Sequence, residues 1–247
     1  MKAHQRVIRE KEADAPSLLG DWWNEVNIDL ASASVREITT KNAASVILRY
    51  EWLGTMPQAI KRCFGLFHDG VLAGACVFAE KPGSNLESNN TGQVPHDALY
   101  LARGACVHWA HRHAATWFLS RVGALLSPCS ILAYSDPAAG EVGTIYQALN
   151  WCYIGASKGG PTAVEVDGKL LTLRSFKRDR KGAVGQGLQA VREAFPRSEI
   201  RAVGRKGRYV GVYGDKRYRK NIIKQLVMFP YPKREAQGKC AAQEKSR

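Results

Sequence analysis

Residues 131–155, ILAYSDPAAGEVGTIYQALNWCYIG, constrain the fold of this chain more than any other segment. The initial apolar run predicts a buried strand, and the Ser-Asp136-Pro sequence predicts a polar turn directly after it. A short helix that carries Tyr146 and a second strand over residues 151–154 complete the unit. Open sheets bind their ligands outside the strand ends, so this carboxylate and this phenol indicate an active site.

The composition is that of a folded protein without a membrane-spanning segment. The chain has 247 residues, of which 45% are hydrophobic and 23% charged, and these values argue against general disorder. The N-terminal residues contain no apolar run typical of a signal peptide, and no later run approaches the roughly eighteen apolar residues of a spanning helix. We therefore expect a soluble, cytoplasmic protein with no membrane partner.

The positive charge is concentrated in the C-terminal third. Residues 174–234 contain eighteen Lys or Arg against four Asp or Glu, and this local balance of +14 equals the formal charge of the whole chain. Aromatic residues alternate with the basic ones, as in Arg217-Tyr218-Arg219. A region in which positive charges strongly outnumber negative ones favours a polyanionic partner. Aromatic residues between the basic ones favour nucleic acid as that partner. A solvated surface that only maintains solubility is the alternative.

The periodicity predicts antiparallel strands followed by alternating strands and helices, which together form a mixed sheet flanked by helices. We expect an N-terminal segment over 1–35, a catalytic core over 36–173, a basic nucleic-acid-binding region over 174–234 packed on that core, and a disordered tail over 235–247. Helices are predicted near Trp22-Trp23 and over 41–52, 114–126, 186–194 and 216–225, a loop over 82–96, a turn at Arg103-Gly104, and strands over 63–68, 71–78, 98–102, 162–166, 169–173 and 209–213.

Several motifs in order resemble those of the Mom family of phage DNA-modification proteins. They are FGLFHDGVLAGACVFAE, ALYLARGACV, ATWFLSRVGALL, ILAYSDP, GTIYQALNW, GRYVGVYGDKRYRKNIIKQL and PYPK, within residues 36–233. The resemblance implies an α/β fold like that of N-acetyltransferases (GNAT-like), with a mixed, mostly antiparallel central sheet. It also implies an enzyme of the bacterial host's cytoplasm that converts adenine in double-stranded DNA to N6-carbamoylmethyladenine, by acyltransferase-like chemistry at N6, and so protects viral DNA from restriction.

The same resemblance implies catalytic roles for Asp136 and Tyr146. An adenine amine is a weak nucleophile, so transfer to it needs a proton acceptor near N6, and Asp136 is the candidate. Tyr146 is then the group that protonates or hydrogen-bonds the donor. The alternatives are an Asx-turn or N-cap role for Asp136 and an aromatic packed on the sheet for Tyr146.

Arg103 and Thr116 are the candidates for holding the donor. Arg103 matches the family's functional arginine and suits a phosphate or carboxylate, although a surface salt bridge is the alternative. Thr116 stands where Mom has serine, at the start of a helix whose N–H groups favour an anion. The preceding residues, 107–113, contain no glycine, and this disfavours the pyrophosphate of acetyl-CoA. A glycine-derived donor, such as glycyl-tRNA, fits the product better.

One pair of residues departs from the family pattern. Glu51-Trp52 stands where Mom has His-Tyr. Trp52 retains an aromatic face that can stack on an extruded adenine, but it supplies no phenol. Glu51 is either an acid/base, a metal ligand or a solvated helix residue.

The resemblance links the family to iron, but the sequence assigns no metal ligand. His108, His111 and His113 have spacings that make a poor facial triad, with no carboxylate nearby in sequence. They are better interpreted as polar loop residues or as contacts to nucleic acid.

The expected partners are double-stranded DNA and, as donor, tRNA; the oligomeric state is not predicted. Two other functions stay open: an acetyl-CoA-dependent N-acetyltransferase of a protein or small molecule, and a non-catalytic nucleic-acid-binding protein with the same fold. The residues expected to contact DNA are basic ones of the C-terminal third, namely Lys206, Arg208, Lys216, Arg217, Arg219 and Lys220.

Overall fold

A seven-stranded mixed sheet forms the centre of the protein in the computed structural model, which describes residues 7–8, 10–11, 29–80, 95, 97–137, 140–157, 162–166, 169–172, 196, 199–202 and 205–233. The strands are β1 (Ser34–Glu37), β2 (Ile60–His68), β3 (Val71–Ala79), β4 (Leu99–Cys106), β5 (Cys129–Ser135), β6 (Cys152–Ala156), β7 (Thr162–Val166), β8 (Lys169–Thr172), β9 (Glu199–Ala202) and β10 (Gly207–Tyr213). The helices are α1 (Thr40–Tyr50), α2 (Ala114–Leu125), α3 (Thr144–Ala148) and α4 (Lys216–Ile223).

The central sheet has the strand order β1-β2-β3-β4-β5-β10-β6, and a separate three-stranded sheet has the order β8-β7-β9. Neighbours run antiparallel in every pair of the central sheet from β1 to β10 except β4 and β5, which are parallel. The expected mixed, mostly antiparallel sheet with flanking helices is therefore confirmed. Among the described residues no helix is long and apolar enough to cross a membrane.

Local sequence chemistry explains the first elements. Asp69 and Gly70 have φ values of 46° and 80°, which is the conformation that joins two strands in a tight hairpin, and β2 and β3 pair antiparallel as predicted. Thr39 caps α1, since its hydroxyl accepts a hydrogen bond from the Asn42 N–H at 3.2 Å. The buried face of α1 follows helical spacing and packs on the sheet; it consists of Ala43, Val46, Ile47 and Tyr50.

The strand β4 corrects one prediction, because it continues through the expected turn at Arg103-Gly104. Its register on β3 shifts between the pairs Phe78↔Leu101 and Val77↔Arg103, so Ala102 is the extra residue of a β-bulge. The bulge absorbs one residue and the pairing then continues to Cys106. Arg103 therefore lies inside a strand rather than at its end.

The strand β10 changes the expected organisation of the chain. It lies between β5 and β6 in the central sheet. The region beyond residue 173 was expected to pack on the outside of a core formed by residues 36–173. Tyr209 and Val210 are fully buried, so this segment is part of the core itself. Contacts divide the chain into one unit of Met1–Gly155 with Gly207–Arg247 and a second unit of Ala156–Lys206. The helix near Trp22-Trp23, the helix over 186–194, the tail over 235–247 and the loop over 82–96 (apart from Pro95) lie outside the described residues.

Alternate residues of β10 form a slot for one indole ring. Tyr209, Gly211 and Tyr213 lie on the same face of the strand, since side chains alternate along a strand. A Cβ atom at Gly211 would overlap the Trp151 ring, and the Trp151 Nε1–H donates to the Tyr213 hydroxyl at 3.1 Å. Gly211 is therefore required by the close approach of Trp151.

We expect Gly211→Ala to lower the free energy of unfolding by about 1–3 kcal/mol, because the added methyl group would displace a buried indole. Chemical denaturation followed by tryptophan fluorescence measures this loss. Gly104→Ala is the matched control, because a Cβ atom there would meet nothing within 4 Å. An equal loss in both variants would contradict the role assigned to the Trp151 slot.

Candidate active site

An opening separates the carboxyl ends of β4 and β5. The two strands pair over three positions, from Leu99↔Ile131 to Leu101↔Ala133. Beyond Leu101, β4 follows β3 as far as Cys106, whereas β5 follows β10 as far as Ser135. Ligands of α/β folds bind at such strand ends. Arg103 lies on one side of the opening and Asp136 directly follows the strand on the other.

The guanidinium group of Arg103 is held in a fixed orientation. Its Nε donates to the Thr55 carbonyl at 2.9 Å, and its Nη1 donates to the Ala102 carbonyl at 2.7 Å. Its Nη2 reaches the Thr55 hydroxyl at 3.4 Å, and the side chain is only 15% exposed. The arrangement is therefore not the surface salt bridge that was the alternative for this residue.

Glu51 ends helix α1 and pairs with Arg103. Its backbone N–H donates to the Ile47 carbonyl at 3.1 Å, and its Oε2 accepts from the Leu53 N–H at 2.9 Å. The same oxygen lies 3.7 Å from the Arg103 Nε, and the side chain is 11% exposed. Glu51 is thus not a solvated helix residue, and its carboxylate belongs to the same site as Arg103.

Tyr146 is held by aromatic rings that sequence analysis did not place near it. Its ring stacks on the ring of Trp151, with the two centroids 5.1 Å apart. It also contacts the tilted ring of Tyr209 at a centroid distance of 5.1 Å. Gln147, the next residue of α3, donates to the Tyr209 hydroxyl at 3.2 Å. We call Tyr146, Trp151 and Tyr209 the aromatic stack. The one sequence signal for it is the alternation of aromatic residues in GRYVGVY.

The phenol of Tyr146 stays protonated at neutral pH. Burial raises its pKa far above the ordinary value for tyrosine, and the negative charge of Glu141 raises it further, with smaller contributions from Tyr100, Glu51 and Tyr209. The hydroxyl is therefore a hydrogen-bond donor under all ordinary conditions. The influence of Glu51 on this pKa also places Tyr146 and the Glu51–Arg103 pair in one electrostatic environment.

Asp136 lies in a turn that leads to α3. Its side chain is buried, with 4% of the residue exposed, and its carbonyl accepts from the Glu141 N–H at 3.0 Å. Glu141 in turn acts on the phenol of Tyr146. The turn after β5 thus connects Asp136 to the helix that carries Tyr146.

Thr116 lies on the helix expected for it, whereas Trp52 lies outside the helix predicted over 41–52, because that helix ends at Tyr50. Trp52 is partly buried in the turn after Glu51. Thr116 is partly buried in the first turn of α2, whose N-cap residue His113 makes no side-chain capping hydrogen bond. A helix start of this kind favours an anion.

The three histidines do not converge on a metal. His108 is hydrogen-bonded to the Tyr50 hydroxyl at 3.0 Å, whereas the His111 Nδ1 accepts from the His113 N–H at 3.2 Å. The described part of the chain contains no group of three or more His, Cys, Asp or Glu that could bind a metal ion. Within the described residues, no set of side chains therefore fits the iron that the family resemblance implied.

The residues expected to contact DNA fall into three settings. Four are exposed on α4, namely Lys216, Arg217, Arg219 and Lys220. Lys206 belongs to the second unit, is partly buried, and pairs through its backbone with Ser157. Arg208 is 7% exposed and donates to the carbonyls of Ile154 at 2.8 Å and Gly155 at 3.3 Å, so it lies inside the protein instead of on its surface. Burial also lowers the pKa of this guanidinium.

A match to a protein-family profile identifies the family to which the chain belongs. The profile of the Mom protein family matches residues 32–233. The chain belongs to the Mom family. This membership supports a role in phage DNA modification.

Other comparisons add little to the Mom assignment. A search of curated proteins finds no match. Among solved structures, the crystal structure of an N-acetyltransferase from Staphylococcus aureus Mu50 is similar over 73% of this chain and 98% of that chain, with 11% identity and a TM-score of 0.39. Similarity at this level does not bear on the chemistry.

We expect Glu51→Gln to destabilise the protein by about 1–3 kcal/mol, because it leaves the mostly buried Arg103 without its ion pair. Thermal or chemical denaturation at neutral pH measures the change. The matched control is Glu37→Gln, which breaks a shorter but exposed pair with Arg62, with an N–O distance of 2.8 Å and side chains 52% and 44% exposed. Exposed pairs contribute little, so a control loss as large as that of Glu51→Gln would contradict this account.

Proposed function

We propose that this protein converts adenine in double-stranded DNA to N6-carbamoylmethyladenine, a modification that protects viral DNA from restriction. Three groups in this member of the Mom family support the proposal. They are a buried carboxylate, Asp136, directly after β5; a guanidinium held by Thr55, that of Arg103 on the neighbouring strand β4; and a phenol that stays protonated, that of Tyr146 on the helix after Asp136. These are the groups that transfer to a weakly nucleophilic amine requires.

Asp136 is the proposed proton acceptor for the adenine N6. In the first step N6 attacks the carbonyl carbon of a glycyl ester, so an N6–carbon bond forms, the ester C–O bond breaks, the alcohol leaves and N6 loses one proton. The glycyl amine then displaces the new amide nitrogen from C6 of the adenine, and this isomerisation gives the carbamoylmethyl product. The carboxylate of Asp136 takes the proton that N6 loses in the first step, and its low exposure of 4% limits competition from water. The nucleophile thus becomes stronger while the new bond forms.

Tyr146 and Arg103 are the proposed contacts to the donor. The high pKa of Tyr146 keeps its hydroxyl protonated, so it can donate to an oxygen on which negative charge develops. Arg103 is oriented by Thr55 and Glu51 before any ligand arrives. Because these groups are preorganised, little reorganisation opposes the reaction. Thr116 extends the donor site to the start of α2.

A glycine-derived donor, such as glycyl-tRNA, is proposed in preference to acetyl-CoA. Together with the nitrogen on C6, the carbamoylmethyl group has the skeleton of glycinamide, so one glycine residue supplies the two carbon atoms and the nitrogen atom that the base gains. The segment before α2, residues 107–113, has bulky side chains and no glycine, which disfavours close backbone contact with a pyrophosphate. Trp52, beside Glu51, is the proposed stacking partner of the extruded adenine.

The test of this function is mass spectrometry of nucleosides from plasmid DNA of bacteria that express the protein. We expect a new adenine nucleoside whose added mass equals that of one glycine residue. Asp136→Asn should reduce its amount by at least about 100-fold and Tyr146→Phe by about 10-fold or more, because each removes one proton-transfer or charge-stabilising group.

Asp69→Asn is the matched control for the Asp136 variant. Asp69 is an exposed turn residue with φ of 46°, which asparagine also adopts, so modification should stay at the wild-type level. Unmodified DNA from cells with abundant folded wild-type protein would refute the proposed function. An adenine nucleoside with an acetyl group instead would assign acetyl-CoA as donor.

Helix α4 is the proposed contact to the DNA backbone. Replacement of Lys216, Arg217, Arg219 and Lys220 by alanine should weaken duplex binding by roughly 10–100-fold and make its dependence on salt concentration less steep, because fewer phosphates are neutralised and fewer counterions released. Fluorescence anisotropy over a series of salt concentrations measures both effects. The control replaces Lys41 and Arg49, two basic residues exposed on α1, and should leave affinity and salt dependence almost unchanged.

A further inference from the structure

Three consecutive large apolar residues project into solvent a short distance after the end of α4. Val227, Met228 and Phe229 are 51%, 56% and 50% exposed, and we call them the apolar strip. Single exposed apolar residues are ordinary, whereas an exposed run of this size marks an interaction site. Nothing in the proposed reaction uses these side chains.

The apolar strip is anchored at both ends. Leu226 precedes it and is 7% exposed, because it packs in a small core with Leu132, Ile154 and Val210. At the other end, the Phe229 N–H donates to the Tyr153 carbonyl at 2.9 Å. The strip is therefore displayed by a fixed backbone.

The chain after the strip leads to the aromatic stack. The Tyr231 hydroxyl donates to the Trp151 carbonyl at 2.9 Å, and the Tyr231 ring stacks on Tyr209 with centroids 6.4 Å apart. Gln147 donates to the Pro232 carbonyl at 3.3 Å. A molecule that contacts the strip is thus next to the elements that position Tyr146.

The positive charge on the residues that precede the strip favours a negatively charged partner. Residues 216–224 carry five Lys or Arg, and the acid that precedes them, Asp215, is used to cap α4 through a hydrogen bond from the Tyr218 N–H at 2.7 Å. A second copy of the chain would bring two such cationic helices together. A membrane surface would require a helix with a broad apolar face, whereas α4 has no buried residue and the strip has only three residues.

We propose that the apolar strip is a wedge that enters the base stack of double-stranded DNA beside the adenine to be extruded. This inference rests on the proposed function, because an adenine inside a duplex cannot reach a buried carboxylate. Proteins that distort duplex DNA insert Phe, Met or similar side chains between base steps, while basic residues hold the phosphates. Extrusion of a base for chemistry requires such unstacking.

The test compares a variant that combines Val227→Ala and Met228→Ala with the wild-type protein on plasmid DNA. Permanganate oxidises thymines that are no longer stacked, and this readout needs no donor. The variant should bind DNA within about 3-fold of the wild type, because phosphate contacts dominate affinity. The number of oxidised thymines should fall by about 10-fold or more, and modified adenine in cells should fall with it. Leu48→Ala with Leu125→Ala removes two apolar residues that are 52% and 59% exposed elsewhere, and should change neither readout.

Several results would overturn the wedge. The proposal fails if the variant leaves as many thymines open to oxidation as the wild type does. It also fails if the wild-type protein modifies adenine but leaves no thymine open to oxidation. Conversion of a wild-type dimer to a monomer, measured by light scattering, would assign the strip to self-association. Loss of binding to phosphatidylglycerol vesicles would assign it to a lipid surface. Opened thymines without any modified adenine would instead support the wedge and refute the proposed function.

Discussion

The geometry of the candidate site depends on one fully buried tyrosine, Tyr209. A buried hydroxyl must be hydrogen-bonded, and this one donates to the Val142 carbonyl at 2.7 Å and accepts from Gln147 at 3.2 Å. Both partners belong to the segment between β5 and β6. The ring also contacts Gly143, which has φ of 78° and no room for a Cβ atom. Tyr209 therefore fixes the path of the chain at the start of α3, the helix that carries Tyr146.

The fold could be predicted where the signal is local. Asp69-Gly70 specifies a hairpin through its own backbone preferences, and the periodicity of α1 and α2 identifies their buried faces. The prediction was wrong at Arg103-Gly104, because the bulge at Ala102 is set by pairing with β3. The strand β10 was identified, but its place between β5 and β6 depends on contacts between residues far apart in sequence.

Individual residues of the candidate site were predicted from the sequence, but the interactions between them were not. Resemblance to the Mom family indicated Asp136, Tyr146 and Arg103, but the ion pair of Arg103 joins it to a residue on another element, and Glu51 does not match the family pattern. Charge counting likewise cannot tell which basic residues face solvent. Arg208 belongs to a basic run, yet it lies in a strand of the core and binds carbonyls of Ile154 and Gly155. Burial of a strand by its neighbours is not encoded in its own composition.

The second unit, Ala156–Lys206, leaves the sheet after β6 and returns at β10, which is the neighbouring strand. Its two ends are joined, because the Ser157 N–H donates to the Lys206 carbonyl at 2.8 Å and the Lys206 N–H donates to the Ser157 hydroxyl at 3.1 Å. The entropy lost in closing a loop grows only with the logarithm of its length. Residues between these joined ends can therefore be added or removed in the course of evolution at little thermodynamic cost to the catalytic sheet. The unit is a position at which a Mom protein can acquire new surface without refolding its active site.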